Sequence, residues 1–124
     1  MPSFGKTSRR RLNTCDIQLQ ELFNEVVKEY DCSVLCGFRT KSAQHGAFLT
    51  GKSKVEWPNS KHNSFPSEAA DVVPYPVVWE DREGFDRFGA YVLETAKRMG
   101  IKVRWGGHFK SFYDGPHFEL VEEA

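Results

Sequence analysis

The strongest constraint on the fold is an apolar stripe in the second half of the chain. Phe85, Phe88, Gly89, Val92, Leu93, Ala96 and Met99 recur at helical spacing, so a helix here gathers them on one face. Asp81 stands where an N-cap belongs and Gly100 where a left-handed C-cap belongs, which defines both ends. Such a helix needs an apolar surface to cover. Part of it comes from Cys15, Leu19, Leu22, Phe23, Val26, Val27 and Tyr30, a second stripe for which Asn13 or Thr14 is the expected cap. The rest comes from short strand-like runs: Ser33 to Phe38, which delivers Arg39 to its end; Ala69 to Val73, stopped by Pro74 and Pro76; Lys102 to Trp105; and Pro116 to Val121. Ser42 to Leu49 reads as a short helix and Trp57 to Pro66 as a loop. Two long helices and several short strands without regular alternation predict an α+β fold, a small antiparallel sheet packed against helices.

With 124 residues and 40% hydrophobic content, the chain builds one core and no more. Residues 1–12, with Arg9-Arg10-Arg11, are expected to form a flexible basic arm, and 13–124 a single domain, read as a monomer. Seventeen Lys and Arg against seventeen Asp and Glu, with a pI near 6.9, argue against a protein-wide grip on nucleic acid or an anionic membrane. Function must reside in a local site. Cys15, Cys32 and Cys36 are too few and too irregular for a disulfide framework or a zinc ribbon, and are expected as reduced, mostly buried thiols. No apolar run suits a secretory signal or a membrane span, so the expectation is synthesis in a cytoplasm without membrane insertion.

The chemistry-bearing residues cluster in two segments, His62 with Asp71 and His117 with Asp114. A catalytic zinc takes three protein ligands and leaves a fourth position for water, and His62, Asp71 and His117 supply that number. The same two-His, one-carboxylate set also suits iron.

Taken together, these residues resemble the zinc-dependent peptidoglycan peptidases of the hedgehog/DD-peptidase fold, which include D-alanyl-D-alanine carboxypeptidases and phage L-alanyl-D-glutamate endopeptidases. The resemblance rests on Ser60-x-His62, Ala69-x-Asp71 and Asp114-x-x-His117 leading into Phe118-Glu119-Leu120. Arg39 to Gln44, Gly51-Lys52-Ser53-Lys54 and Trp105-Gly106-Gly107 add to it, so that residues 32 to 121 are covered in the family's order. Two features depart from the commonest pattern. The step from His62 to Asp71 is nine positions rather than seven, and His108 follows the glycine pair where Asp is frequent.

The resemblance implies one Zn2+ held by His62, Asp71 and His117, with Asp114 as catalytic acid/base and Arg39 as the cationic group steadying a carboxylate or a developing oxyanion. Ser60 and Gln44 are weaker substrate-binding candidates. The implied partner is the bacterial peptidoglycan stem peptide, cut by an endolysin-like phage enzyme after release from the cell or from the virion. L-Ala-D-Glu endopeptidase is favoured over carboxypeptidase. The plainer readings are Arg39 paired with Glu119, Gln44 on a helix surface, Ser60 as an ordinary loop residue, and His45 and His108 as bystanders. Two other functions compete: a non-catalytic zinc-containing peptidoglycan-binding module of the same fold, and a nuclease built on His108 and His117, which the neutral charge balance disfavours.

Overall fold

A computed structural model describes residues 2–121. Its elements are α1 (Lys6–Leu12), α2 (Ile17–Glu29), β1 (Cys32–Cys36), α3 (Lys41–Leu49), β2 (Ala69–Pro74), α4 (Arg82–Met99), β3 (Val103–Trp105) and β4 (His117–Leu120). The four strands form an antiparallel sheet in the order β1-β2-β4-β3.

Helices α2 and α4 bury the two stripes read from the sequence. Leu19, Leu22, Phe23, Val26 and Val27 of α2 and Phe85, Phe88, Val92 and Ala96 of α4 are buried. They pack with Ala70, Val72, Phe118 and Leu120 from the inner face of the sheet, where Phe118 meets Phe23 and Phe88 edge to face at 5.4 and 6.1 Å. Because side chains alternate along a strand, the partners Asp71, His117 and Glu119 face the other way. The expected ends of α4 are observed: the Asp81 carboxylate accepts from the Gly84 amide, and Gly100 takes the left-handed conformation at φ 72°.

Two expectations need correction. The cap of α2 is Asp16, whose side chain accepts from the Gln18 amide, and not Asn13 or Thr14. Cys15 lies before the helix, in a bridge with Ser67. Nor are residues 1–12 a loose arm within the described chain. Lys6–Leu12 is a helix, Phe4 and Leu12 are buried in the core, and the Arg11 guanidinium donates to Val34 O at 3.1 Å. The basic run is accommodated because Arg9, Arg10 and Arg11 fall in the last turn, where positive charge suits the carbonyl end of the helix dipole. Met1 and residues 122–124, the outer limits of the expected arm and domain, lie outside the described residues.

Gly89 on α4 shows how closely the helix meets the site-bearing loops. A Cβ there would come within 2.3 Å of the Trp105 ring, and that ring is tethered by its indole N–H to Gly115 O at 2.7 Å. Helix propensity favours Ala over Gly by about 1 kcal/mol, whereas overpacking a tight contact costs about 1–3 kcal/mol. Since the ring is held, Gly89→Ala is expected to lower stability by about 1–2 kcal/mol. Denaturant unfolding measures this, and a gain in stability would show that the Trp105 contact is loose.

Candidate active site

The site is organised by the row of residues that crosses the middle of the sheet. Asp71 on β2 is paired with His117 on β4 and, on the other side, with Cys36 at the end of β1. The Cys36 pairing depends on a bulge: the register runs Val34 to Val72 and then skips Leu35, so that Cys36 stands opposite Asp71. A one-residue bulge reverses the alternation of the strand. Cys32 and Val34 face the core, while the Cys36 thiol joins the Asp71 side of the sheet.

His62 reaches the same place from the long loop. Lys61–Asn63 forms one 3-10 turn in which the Ser60 hydroxyl accepts from the His62 amide at 3.2 Å and the Asn63 side chain accepts from the Ser60 amide at 3.1 Å. The His62 ring is buried, with Nδ1 on Gly37 O at 2.8 Å and Nε2 3.2 Å from Asp71 Oδ1. His117 mirrors it, with Nε2 on Glu119 Oε1 at 2.8 Å and Nδ1 3.3 Å from the same Asp71 oxygen. Each imidazole thus has one nitrogen oriented by an outer acceptor and the other turned to Asp71, the arrangement by which metal-ligating histidines are set in their tautomer. Arg39 Nη2 occupies the far side of the carboxylate, 3.4 Å from Oδ2.

The electrostatics follow from this crowding. Burial works against charge on Asp71, but the hydrogen bonds and charges of His117 and His62 outweigh it and hold the carboxyl well below its usual range. Burial likewise opposes protonation of the two rings, and the Asp71 carboxylate overcomes it, with Cys36 assisting at His62 and Glu119 at His117. His62 is pushed up to about 10 and His117 to about 8.

Asp114 lines the same cleft as Arg39, His62, Asp71 and His117. Its backbone closes on the glycine pair, with the Asp114 amide donating to Gly106 O at 3.0 Å. A Cβ on Gly106 would lie 2.1 Å from Asp114 O, so only glycine permits the approach. Burial and the neighbouring Asp71 charge raise the Asp114 carboxyl above its ordinary value, partly offset by His117, His62 and Arg39.

His62, Asp71, His117, Asp114 and Arg39 therefore come together. Ser60 also lines the cleft, but its hydroxyl is engaged in capping the His62 turn. Gln44 is not on a helix surface: it is fully buried, its Oε1 accepts from Arg39 and Asn63, and its Nε2 donates to Ser53 and Val55. With every hydrogen-bonding position filled, it is a strut behind the site. Arg39 pairs with Asp71, and Glu119 is instead the partner of His117, Lys61 and Arg104. His45 is exposed on α3, and His108 packs against Trp105 beside a different hollow. Cys36 is the residue that the sequence reading missed. Its sulfur and the donors of His62 and Asp71 lie within 4.8 Å of one another, a set able to hold a metal ion.

The family model described as phage L-alanyl-D-glutamate peptidase matches residues 2–121. The chain belongs to that family. A curated relative, the L-alanyl-D-glutamate peptidase of Escherichia phage T5, is 29% identical over 134 aligned positions, covering 95% of this chain and 97% of the relative. Among solved structures, the L-Ala D-Glu endopeptidase ChiX of Serratia marcescens superposes with a TM-score of 0.81 at 27% identity, over 97% of this chain and 91% of that one. This member of the phage L-alanyl-D-glutamate peptidase family has, among its described residues, no helix long and apolar enough to cross a membrane.

The three thiols differ in a measurable way. Burial pushes Cys15 and Cys32 up to about 12, whereas at half-buried Cys36 the opposing effects of His62 and Arg39 outweigh burial and lower it. A small reagent such as methyl methanethiosulfonate should modify Cys36 alone in the native protein and all three cysteines after unfolding. Equal labelling in the native state would contradict the bulged geometry.

Proposed function

We propose that this chain is a zinc-dependent peptidoglycan peptidase that hydrolyses the L-alanyl–D-glutamate amide of the bacterial stem peptide during phage lysis. In this reading His62, Asp71 and His117 hold one zinc ion, and Asp114 handles the proton. The observation that carries it is the convergence of three donors, two of them pre-oriented imidazoles, on the wall of one cleft that Asp114 also lines.

Two of the three donor separations suit the ion. For bonds of about 2.0–2.1 Å, the edge of a tetrahedral zinc shell is about 3.3–3.4 Å. The His62–Asp71 and His117–Asp71 separations, 3.2 and 3.3 Å, match two such edges. We assign His117 rather than Cys36 as the third ligand. His117 lines the cleft and has Glu119 behind it, whereas Cys36 accepts from Arg39 at 3.7 Å and lies against Gly37 O at 3.6 Å. A fourth protein ligand would also close the position that a catalytic ion keeps open.

When bound, zinc supplies Lewis acidity, which brings the ionisation of water towards neutral pH and polarises a carbonyl. Asp114 takes the proton of the attacking water on a carboxylate oxygen and returns it to the D-glutamyl nitrogen as the carbon–nitrogen bond breaks. Its burial next to Asp71 makes a proton easier to hold than on an ordinary carboxyl, as the second transfer requires. Arg39, steadied by Gln44 through Nη1 at 2.9 Å, keeps Asp71 in place and brings positive charge to the carbonyl oxygen side of the cleft.

Asp114→Asn tests the assignment and separates an enzyme from a zinc-holding binder. It should lower kcat on purified peptidoglycan by about 10²- to 10⁴-fold. Zinc stoichiometry by atomic emission and Tm should stay at wild-type values. Undiminished turnover would remove Asp114 from the reaction.

A further inference from the structure

The cleft holds two cations that the hydrolytic machinery leaves unused. Four basic residues line it, Arg39, Lys52, Lys54 and Lys61. Arg39 is committed to Asp71, and Lys61 to Glu119 at 3.6 Å and to the Leu120 carbonyl. Lys52 and Lys54 are exposed, and among the described residues neither has a carboxylate within ion-pair distance.

The segment that carries them is held in place despite having no helix or strand. Gln44 Nε2 donates to Ser53 Oγ at 2.8 Å and to Val55 O at 2.7 Å, and the Ser53 amide donates to Ala47 O at 3.0 Å. The same Gln44 side chain accepts from Arg39, so one buried amide links the lysine segment to the Asp71 carboxylate through a single guanidinium. A loop that only kept two lysines in water would not need a fully buried polar strut, whose desolvation must be offset by four hydrogen bonds.

We propose that Lys52 and Lys54 form the subsite for the free carboxylate of the residue on the amine side of the scissile bond. The proposal rests on the reading that the chain cuts an L-alanyl–D-glutamate amide. Glutamate joined through its nitrogen has two carboxyl groups. When one continues the stem as an amide, the other remains an anion a few bonds from the nitrogen that leaves. In this cleft Arg39 and Lys61 are already paired with Asp71 and Glu119, and Asp114 repels such an anion, so its attraction falls to Lys52 and Lys54. They are specificity-determining residues, with Gln44 as the positioning residue that sets their distance from the reacting bond.

The test compares two synthetic stem peptides that differ only in whether this group is a carboxylate or a carboxamide. The zinc-loaded wild-type protein should favour the carboxylate peptide by about fivefold to tenfold in kcat/KM, the scale of two partly exposed ion pairs. In the Lys52→Gln, Lys54→Gln double variant the ratio should fall to near one, mainly through a higher KM for the carboxylate peptide. The Lys52→Arg, Lys54→Arg variant should restore the preference. A double variant that keeps the wild-type ratio would overturn the subsite and leave the hydrolytic reading standing. A wild-type protein that cleaves neither peptide would overturn both.

Discussion

A carboxylate set into the outer face of a small sheet is the constraint around which this molecule is arranged. The Asp71 side chain is only 20% exposed, and an unpaired charge so placed would cost several kcal/mol. Three neighbours prevent that, and each comes from a different part of the chain. The strand register delivers His117, a 3-10 turn inside the long loop delivers His62, and the end of β1 delivers Arg39. Each neighbour is in turn held by an acceptor of its own, Glu119, Gly37 O or Gln44. The sheet supplies the row and the loops supply the convergence; in the reading proposed above, a metal ion replaces the two ring protons where these side chains meet.

Much of this was legible in the residue order. Helical periodicity located α2 and α4, and the glycine and proline breaks located α3 and β2, because these signals are local. His62, Asp71, Asp114 and His117 stood out because metal and acid/base chemistry restrict residue type, whereas the roles of Asp114 and Arg39 came from the family resemblance. What escaped depended on tertiary context. Helix α1 buries only Leu12 of its seven residues, with Phe4 just ahead of it, too little for an apolar stripe to be visible. Asp16 outcompeted Asn13 and Thr14 as the α2 cap because the chain from Thr14 to Asp16 is tied to Ser67, which delays the start of the helix.

Cys36 was passed over and Gln44 misread for related reasons. Strict alternation along β1 would turn Cys36 to the core with Cys32 and Val34, and only the bulge at Leu35 turns it to Asp71. No local signal announces such a bulge. Gln44 sits on an otherwise polar helix and would pass for a solvent-facing residue. Its burial arises from the loop that folds back over it, and a buried amide with four partners is a joint between Arg39 and the wall of the cleft. Both cases place residues of ordinary appearance directly behind the chemistry, where they set the geometry of the groups that act.

The account stands or falls on where a metal binds. Crystals grown with zinc and measured at the zinc absorption edge would locate it directly. The expected result is a single anomalous peak about 2.0–2.2 Å from His62 Nε2, Asp71 Oδ1 and His117 Nδ1, with no fourth protein ligand. A peak bonded to Cys36 Sγ, or one remote from these three residues, would contradict it.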